Sequence, residues 1–129
     1  MDKYTKLTIN ELVKRKLQIE EARKKVYTQE IYCESLGGTI VVKEPSSGVL
    51  QDITEIDDVN KANKYAVYEC VTEPNLKDKE LQDAYECSEP MDIVSKLFTD
   101  TEINSIGAIL LELTKRNRRI EPVDEVKNL

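Results

Sequence analysis

Aspartate and glutamate make up 25 of the 129 residues, so paired-acid catalysis is the first chemistry to consider. One group holds Asp52, Glu55, Asp57 and Asp58, and another holds Asp78, Glu80 and Asp83. Two carboxyls can work as general acid and base when their surroundings drive their proton affinities apart. These spacings, however, are what solvated helices and helix caps produce. A calcium loop would need alternating oxygen ligands, a central glycine and a terminal glutamate, and neither stretch supplies them. Histidine is absent, which removes the usual general base, the usual proton shuttle and the commonest metal ligand together. The three cysteines, Cys33, Cys70 and Cys87, form no C-x-x-C pair and suit neither zinc nor a disulfide framework. They read as reduced thiols packing like small hydrophobes, with Cys70 and Cys87 at least partly buried. Gly37-Gly38 is no phosphate loop without a following Lys-Ser/Thr, and there is no Gly-x-Ser-x-Gly elbow. The expectation is no catalytic residue, no metal, no cofactor, and a protein that is not an enzyme.

The charges are unevenly placed. Residues 1–25 carry a balance of +4, residues 26–114 carry −12, and residues 115–129 carry +2. An acidic body between basic ends is a poor nucleic-acid binder, because neutralising phosphates needs a continuous positive surface. It suits a protein partner of basic or mixed charge better. No apolar run approaches the roughly 18 residues that span a bilayer, and no signal peptide opens the chain, so a cytoplasmic protein is expected. The length fits one domain, over residues 1–119, with residues 120–129 as a flexible polar tail.

What must position any functional surface is a mainly helical framework. Thr8-Ile9-Asn10-Glu11 reads as a capping box opening a helix to about Lys24, with Ile9, Leu12, Val13 and Leu17 as its apolar stripe. The basic groups Lys14-Arg15-Lys16 and Arg23-Lys24-Lys25 on its other face read as solvated charge. From Val26 the pattern turns β-prone. Tyr27 to Cys33 and Thr39 to Lys43 flank Gly37-Gly38, which predicts a hairpin near residues 27–43 resting one face on the helices. The fold class is therefore α+β, a mainly helical domain with one β-hairpin. Val49, Leu50, Ile53 and Ile56 fall at helical spacing. Asp57 or Asp58 caps a further helix carrying Ala62, Tyr65, Ala66 and Cys70, which Pro74 stops near Thr72. A short helix is expected over Asp78 to Tyr85, and another after Pro90 burying Ile93, Val94, Leu97 and Phe98.

Thr99-Asp100-Thr101-Glu102 is a second capping box, opening the most apolar helix of the chain. At 100° per residue, Ile103, Ile106, Gly107, Ile109, Leu110, Leu111 and Leu113 cover about 200° of its circumference. A central core helix explains most of that arc. Its excess width marks Ile109, Leu111 and Leu113 as candidate contacts for a partner helix. The basic run Lys115, Arg116, Arg118 and Arg119 complements the helix dipole and could also steer an acidic partner.

Several motifs together resemble one family, the XkdN-like tail assembly chaperones of long-tailed bacteriophages and defective prophages. Leu7 to Leu12 match its amino-terminal Leu-Thr-Ile-x-Glu-Leu helix. Val71 to Leu81, VTEPNLKDKEL, match its Val-x-Glu-Pro-Asn-Leu-Lys-Asp-x-Glu-Leu motif, and Ala84-Tyr85, Glu89-Pro90, Leu97-Phe98 and Glu102-Ile103 continue the match. The resemblance implies a protein that coats the long, helical tape measure protein in the host bacterial cytoplasm. There it keeps the tape measure soluble until tail tube subunits polymerise around it, and it is then absent from the mature virion. The tail tube protein is a further implied partner; nucleic acid and membrane are not. Two other readings stay open, a structural tail component retained in the particle and a small regulator binding nucleic acid through its basic ends. Stoichiometric presence in finished particles would mark the first, and steep salt-dependent DNA binding the second.

Overall fold

A computed structural model describes residues 4–123. It is mainly helical with one three-stranded antiparallel sheet, the α+β class expected. The chain forms two compact units, Tyr27–Arg118 as one and the segments on either side of it as the other. The part of the expected polar tail beyond Val123 lies outside the described residues.

Within Tyr27–Arg118 the hairpin stands where the sequence placed it. Strand β1 (Thr28–Cys33) pairs with β2 (Gly38–Lys43) from Thr28 opposite Lys43 to Cys33 opposite Gly38. Gln29, Ile31 and Cys33 are half-buried while Thr28, Glu30 and Tyr32 are exposed, the alternation of a sheet with one face on a core. The turn is longer than the glycine pair alone. A 3-10 turn covers Glu34–Leu36, and Gly37 then takes φ 70°, a conformation that favours a residue without Cβ. Gly38 already belongs to β2.

Five helices accompany the sheet in this unit. Helix α3 (Ser47–Thr54) is capped by the Ser46 hydroxyl, and α4 (Val59–Cys70) by Asp58. The Tyr65 hydroxyl donates to Asp52 Oδ2 at 2.5 Å, which joins these two helices and pushes the phenol up to about 12. Directly after α4 the chain extends as β3 (Val71–Glu73), which pairs antiparallel with β2 across a bulge at Val41/Val42. Ending the helix here was expected from Pro74; a third strand was not. Helices α5 (Lys79–Ala84) and α6 (Asp92–Leu97) follow, and α7 (Asp100–Asn117) closes the unit. Pro90 lies in the turn ahead of α6 rather than in its first helical turn.

The core gathers Ile40 and Val42 of β2, Ala66, Val67 and Cys70 of α4, Ile93 and Val94 of α6, and Ile103, Ile106, Leu110 and Leu113 of α7. Helix α7 is fixed at both ends. At its start the capping box is complete: Thr99 Oγ1 accepts from the Glu102 amide at 3.2 Å, and Glu102 Oε1 accepts from the Thr99 amide at 2.9 Å. Just past its end, Arg118 forks onto Glu44, the one buried charged residue among those described, with Nε and Nη2 donating at 3.1 and 2.8 Å. The guanidinium also lies over the Tyr27 ring, 5.7 Å from its centroid. A carboxylate only 6% exposed needs such a partner, because an unpaired buried charge is strongly disfavoured.

The other unit holds α1 (Ile9–Lys14) and α2 (Lys16–Lys24). The single helix expected to Lys24 is interrupted at Arg15, which sits at φ −90°, ψ 7°. The expected capping box is half made. Thr8 Oγ1 accepts from the Glu11 amide at 3.2 Å, but the Glu11 carboxylate turns to Arg15 at 3.3 Å. Neither helix buries a single residue.

Candidate partner-binding surfaces

The residues singled out on α7 do not form one surface. Leu113 is 1% exposed and belongs to the core, so in this fold it offers nothing to a partner. Its neighbours explain why: Leu110 and Leu113 share one face, one turn apart, against the same packed interior. Ile109 and Leu111 stand about 160° apart around the helix, one at each border of the buried arc. Leu111, at 52%, is exposed. Ile109 is half-buried and lines a groove of about 160 Å³ between α7 and β1, with Ile31, Cys33, Phe98 and Ile106 as apolar walls. Glu34, Glu102 and Ser105 add polar groups to its lining.

The ionisable groups beside that groove are tied to their neighbours. Burial, aided by the Glu102 charge, pushes the Cys33 thiol up and away from the reactive thiolate. The Ser35 hydroxyl donates to the Glu102 carboxylate and, with the Thr99 amide, holds its pKa below the ordinary glutamate value. The contact ties the hairpin turn to the first turn of α7. Cys70, fully buried, is pushed up to about 11 by desolvation. All three thiols are free. Among the described residues no group of three His, Cys, Asp or Glu side chains is placed to hold a metal ion, and no helix is long and apolar enough to cross a membrane.

Most of the basic candidates are occupied. Arg118 is committed to Glu44, Arg116 donates to Gln29 Oε1 at 2.8 Å, and Arg119, in the other unit, pairs with Glu121 at 2.6 Å. Lys115 is exposed.

Further exposed apolar side chains lie elsewhere, in the amino-terminal unit. Ile9 is 83% and Leu17 76% exposed, and Leu7, Leu12, Val13 and Ile19 are exposed beside them. Sequence reading found most of these residues and did not show that their side chains stand exposed. The available signal was the short span of the stripe and the dense charge around it, both poor conditions for a core helix.

The Val71–Leu81 motif has structural work to do. Val71 and Leu76 are buried, the Asn75 side chain accepts from the Lys77 amide at 3.0 Å, and Asp78 caps α5 through the Leu81 amide at 2.9 Å. Lys77 pairs with Glu69 at 2.9 Å and lies over Tyr68. The motif therefore specifies the turn from β3 into α5. No curated protein and no solved structure matches the chain. The description "Phage XkdN-like tail assembly chaperone protein, TAC" belongs to a family model that matches residues 3–127. That match spans both units, the amino-terminal helices and the structural motif alike, and the chain belongs to the XkdN-like phage tail assembly chaperone family.

Proposed function

We propose that the protein binds the tape measure protein in the host bacterial cytoplasm, keeps it soluble while the tail tube polymerises, and is left out of the mature virion. It acts by covering apolar surface, without catalysis, cofactor or nucleic acid. The observation that carries this reading is family membership over nearly the whole chain, since tail assembly chaperones need protein partners. The exposed Ile9, Leu12 and Val13 on one face of α1 support it, because unburied apolar side chains grouped on a face mark interaction surfaces. The acidic body suits keeping a sticky complex dispersed, since net charge opposes association. Co-expression with the tape measure protein is the test. The tape measure should stay in the supernatant only with this protein present, and the two should co-elute on gel filtration. Equal solubility with and without it, and no complex, would sink the reading. Fixed stoichiometry in purified tails would replace it with a retained structural component.

A further inference from the structure

We infer that the outer edge of β1, with the groove beside α7, is a docking site for an extended segment of a partner protein. The segment alternates apolar with basic residues and joins the sheet antiparallel, as a fourth strand. This rests on the reading above that the protein binds other proteins. The first ground is the backbone. In the sheet order β1-β2-β3, β1 is an edge. The Glu44 amide donates to the Tyr27 carbonyl at 2.8 Å. In that register Gln29 and Ile31 turn their backbone groups toward β2, and Thr28, Glu30 and Tyr32 turn theirs away. Among the described residues no other element offers those three a backbone partner. The two edges of the sheet differ in kind. Strand β3 has three residues, runs into Pro74 and meets β2 across a bulge, and each of these discourages a further strand. Strand β1 has six residues, no proline and an unbroken register.

The second ground is the groove, walled by Ile31 and Cys33 of β1 and by Phe98, Ile106 and Ile109. An apolar space of about 150 Å³ takes a benzene-sized group, so the groove's 160 Å³ admits one aliphatic side chain. A strand added to β1 points every second side chain to the face that Ile31 and Cys33 occupy, so one of them can enter. A docked helix would cover the edge amides and carbonyls without pairing them, which costs free energy. The third ground is charge. Glu34 and Glu102 line the groove, and Glu30, exposed, is the one charged residue of β1. Carboxylates around an apolar slot select lysine or arginine on the incoming strand, since opposite charges across a strand pair attract. The same carboxylates oppose a second copy, whose β1 would bring like charges to the shared edge.

Three synthetic peptides as long as β1 test this on the full chain. One alternates lysine with valine, one alternates glutamate with valine, and the third is the lysine form N-methylated at its lysines. Those are the amides that face β1 when the valines face the groove. The lysine peptide should bind, weaken as salt rises, and bind at least about tenfold more tightly than either of the others. At saturation, hydrogen exchange at the Thr28, Glu30 and Tyr32 amides should slow at least about tenfold, while Gln29 and Ile31, already turned to β2, should not change. Tyr32→Pro removes one outward donor and no bond to β2, and Glu30→Lys/Glu34→Lys reverses the charge of the rim. Each should lower the affinity by at least about tenfold. The charge variant keeps every backbone bond, so it decides the matter should the proline disturb the strand. Equal binding of the three peptides, binding of none, or a charge variant that binds like the parent would overturn the assignment. So would a bound peptide that leaves the three amides exchanging as before. Slow exchange there in the free protein would also overturn it, by showing the edge to be paired already: to a second copy if dilution restores fast exchange, to the chain's own segments if it does not. If the peptides fail while co-expression succeeds, the chaperone reading stands and docking belongs to another surface. If co-expression fails while the peptides bind as stated, the groove stands and the chaperone reading falls.

Discussion

Helices α7 and α1–α2 begin with the same sequence device and end in opposite states. Each opens on a Thr-x-x-Glu box and continues with branched aliphatic residues at helical spacing. In α7 the box closes reciprocally, the helix runs 18 residues, and four large aliphatics are buried. In the amino-terminal segment the glutamate deserts the box for Arg15, the helix breaks there, and nothing is buried. Hydrophobic pattern states which side chains share a face. Whether that face becomes core depends on what the rest of the chain brings to it. Around α7 the chain brings a sheet, α4 and α6.

The comparison breaks most sharply on stability. Leu110→Ala should cost about 2–5 kcal/mol in chemical denaturation, the range for emptying a packed leucine site. A cost below about 0.5 kcal/mol would return Leu110 to the surface and undo the contrast. Arg118→Ala should lower the melting temperature by less than that, yet clearly, because it strands Glu44 in the interior while α7 keeps its leucines. Glu102→Gln sharpens the picture at the other end of α7. Hydrogen bonds from Ser35 and Thr99 lower the Glu102 pKa in the folded state, so the stability they lend is present above the ordinary glutamate range. It is lost as the pH falls through the lowered folded value. The glutamine variant should therefore be less stable than the parent at neutral pH and lose less on acidification, read as two melting curves against pH. Smallest of all, Leu17→Ala should change stability by less than about 0.5 kcal/mol, since the side chain is exposed before and after unfolding.

Much of the fold was legible. The β-branched run after Gly37-Gly38, the Asp58 and Thr99 caps and the Pro74 stop each dictate local geometry within a few residues of themselves, and each reappears in the structure. Strand β3 was not legible, because three residues after a helix carry no alternation to read; its pairing with β2 is a long-range contact. The split of the α7 candidates was hidden for a related reason. An arc of about 200° does not say which border meets the hairpin and which meets solvent, so Leu113 was placed among the candidate partner contacts although it points to the core. The same limit hid the bare stripe on α1 and α2. Likewise a run of cations does not announce that Arg118 is spoken for by Glu44, 74 residues away.

Cys70 gives the molecule a clock. Its side chain, at the end of α4, is fully enclosed in the core, and desolvation pushes the thiol up to about 11, so at neutral pH almost no thiolate meets solvent while the fold is shut. A thiol reagent can reach it only while the core around it is open. With Cys33 and Cys87 replaced by serine, the pace of Cys70 modification would count those openings directly, without heat or denaturant. Run with and without a bound partner, the same count would tell whether capture tightens the core or leaves its breathing untouched.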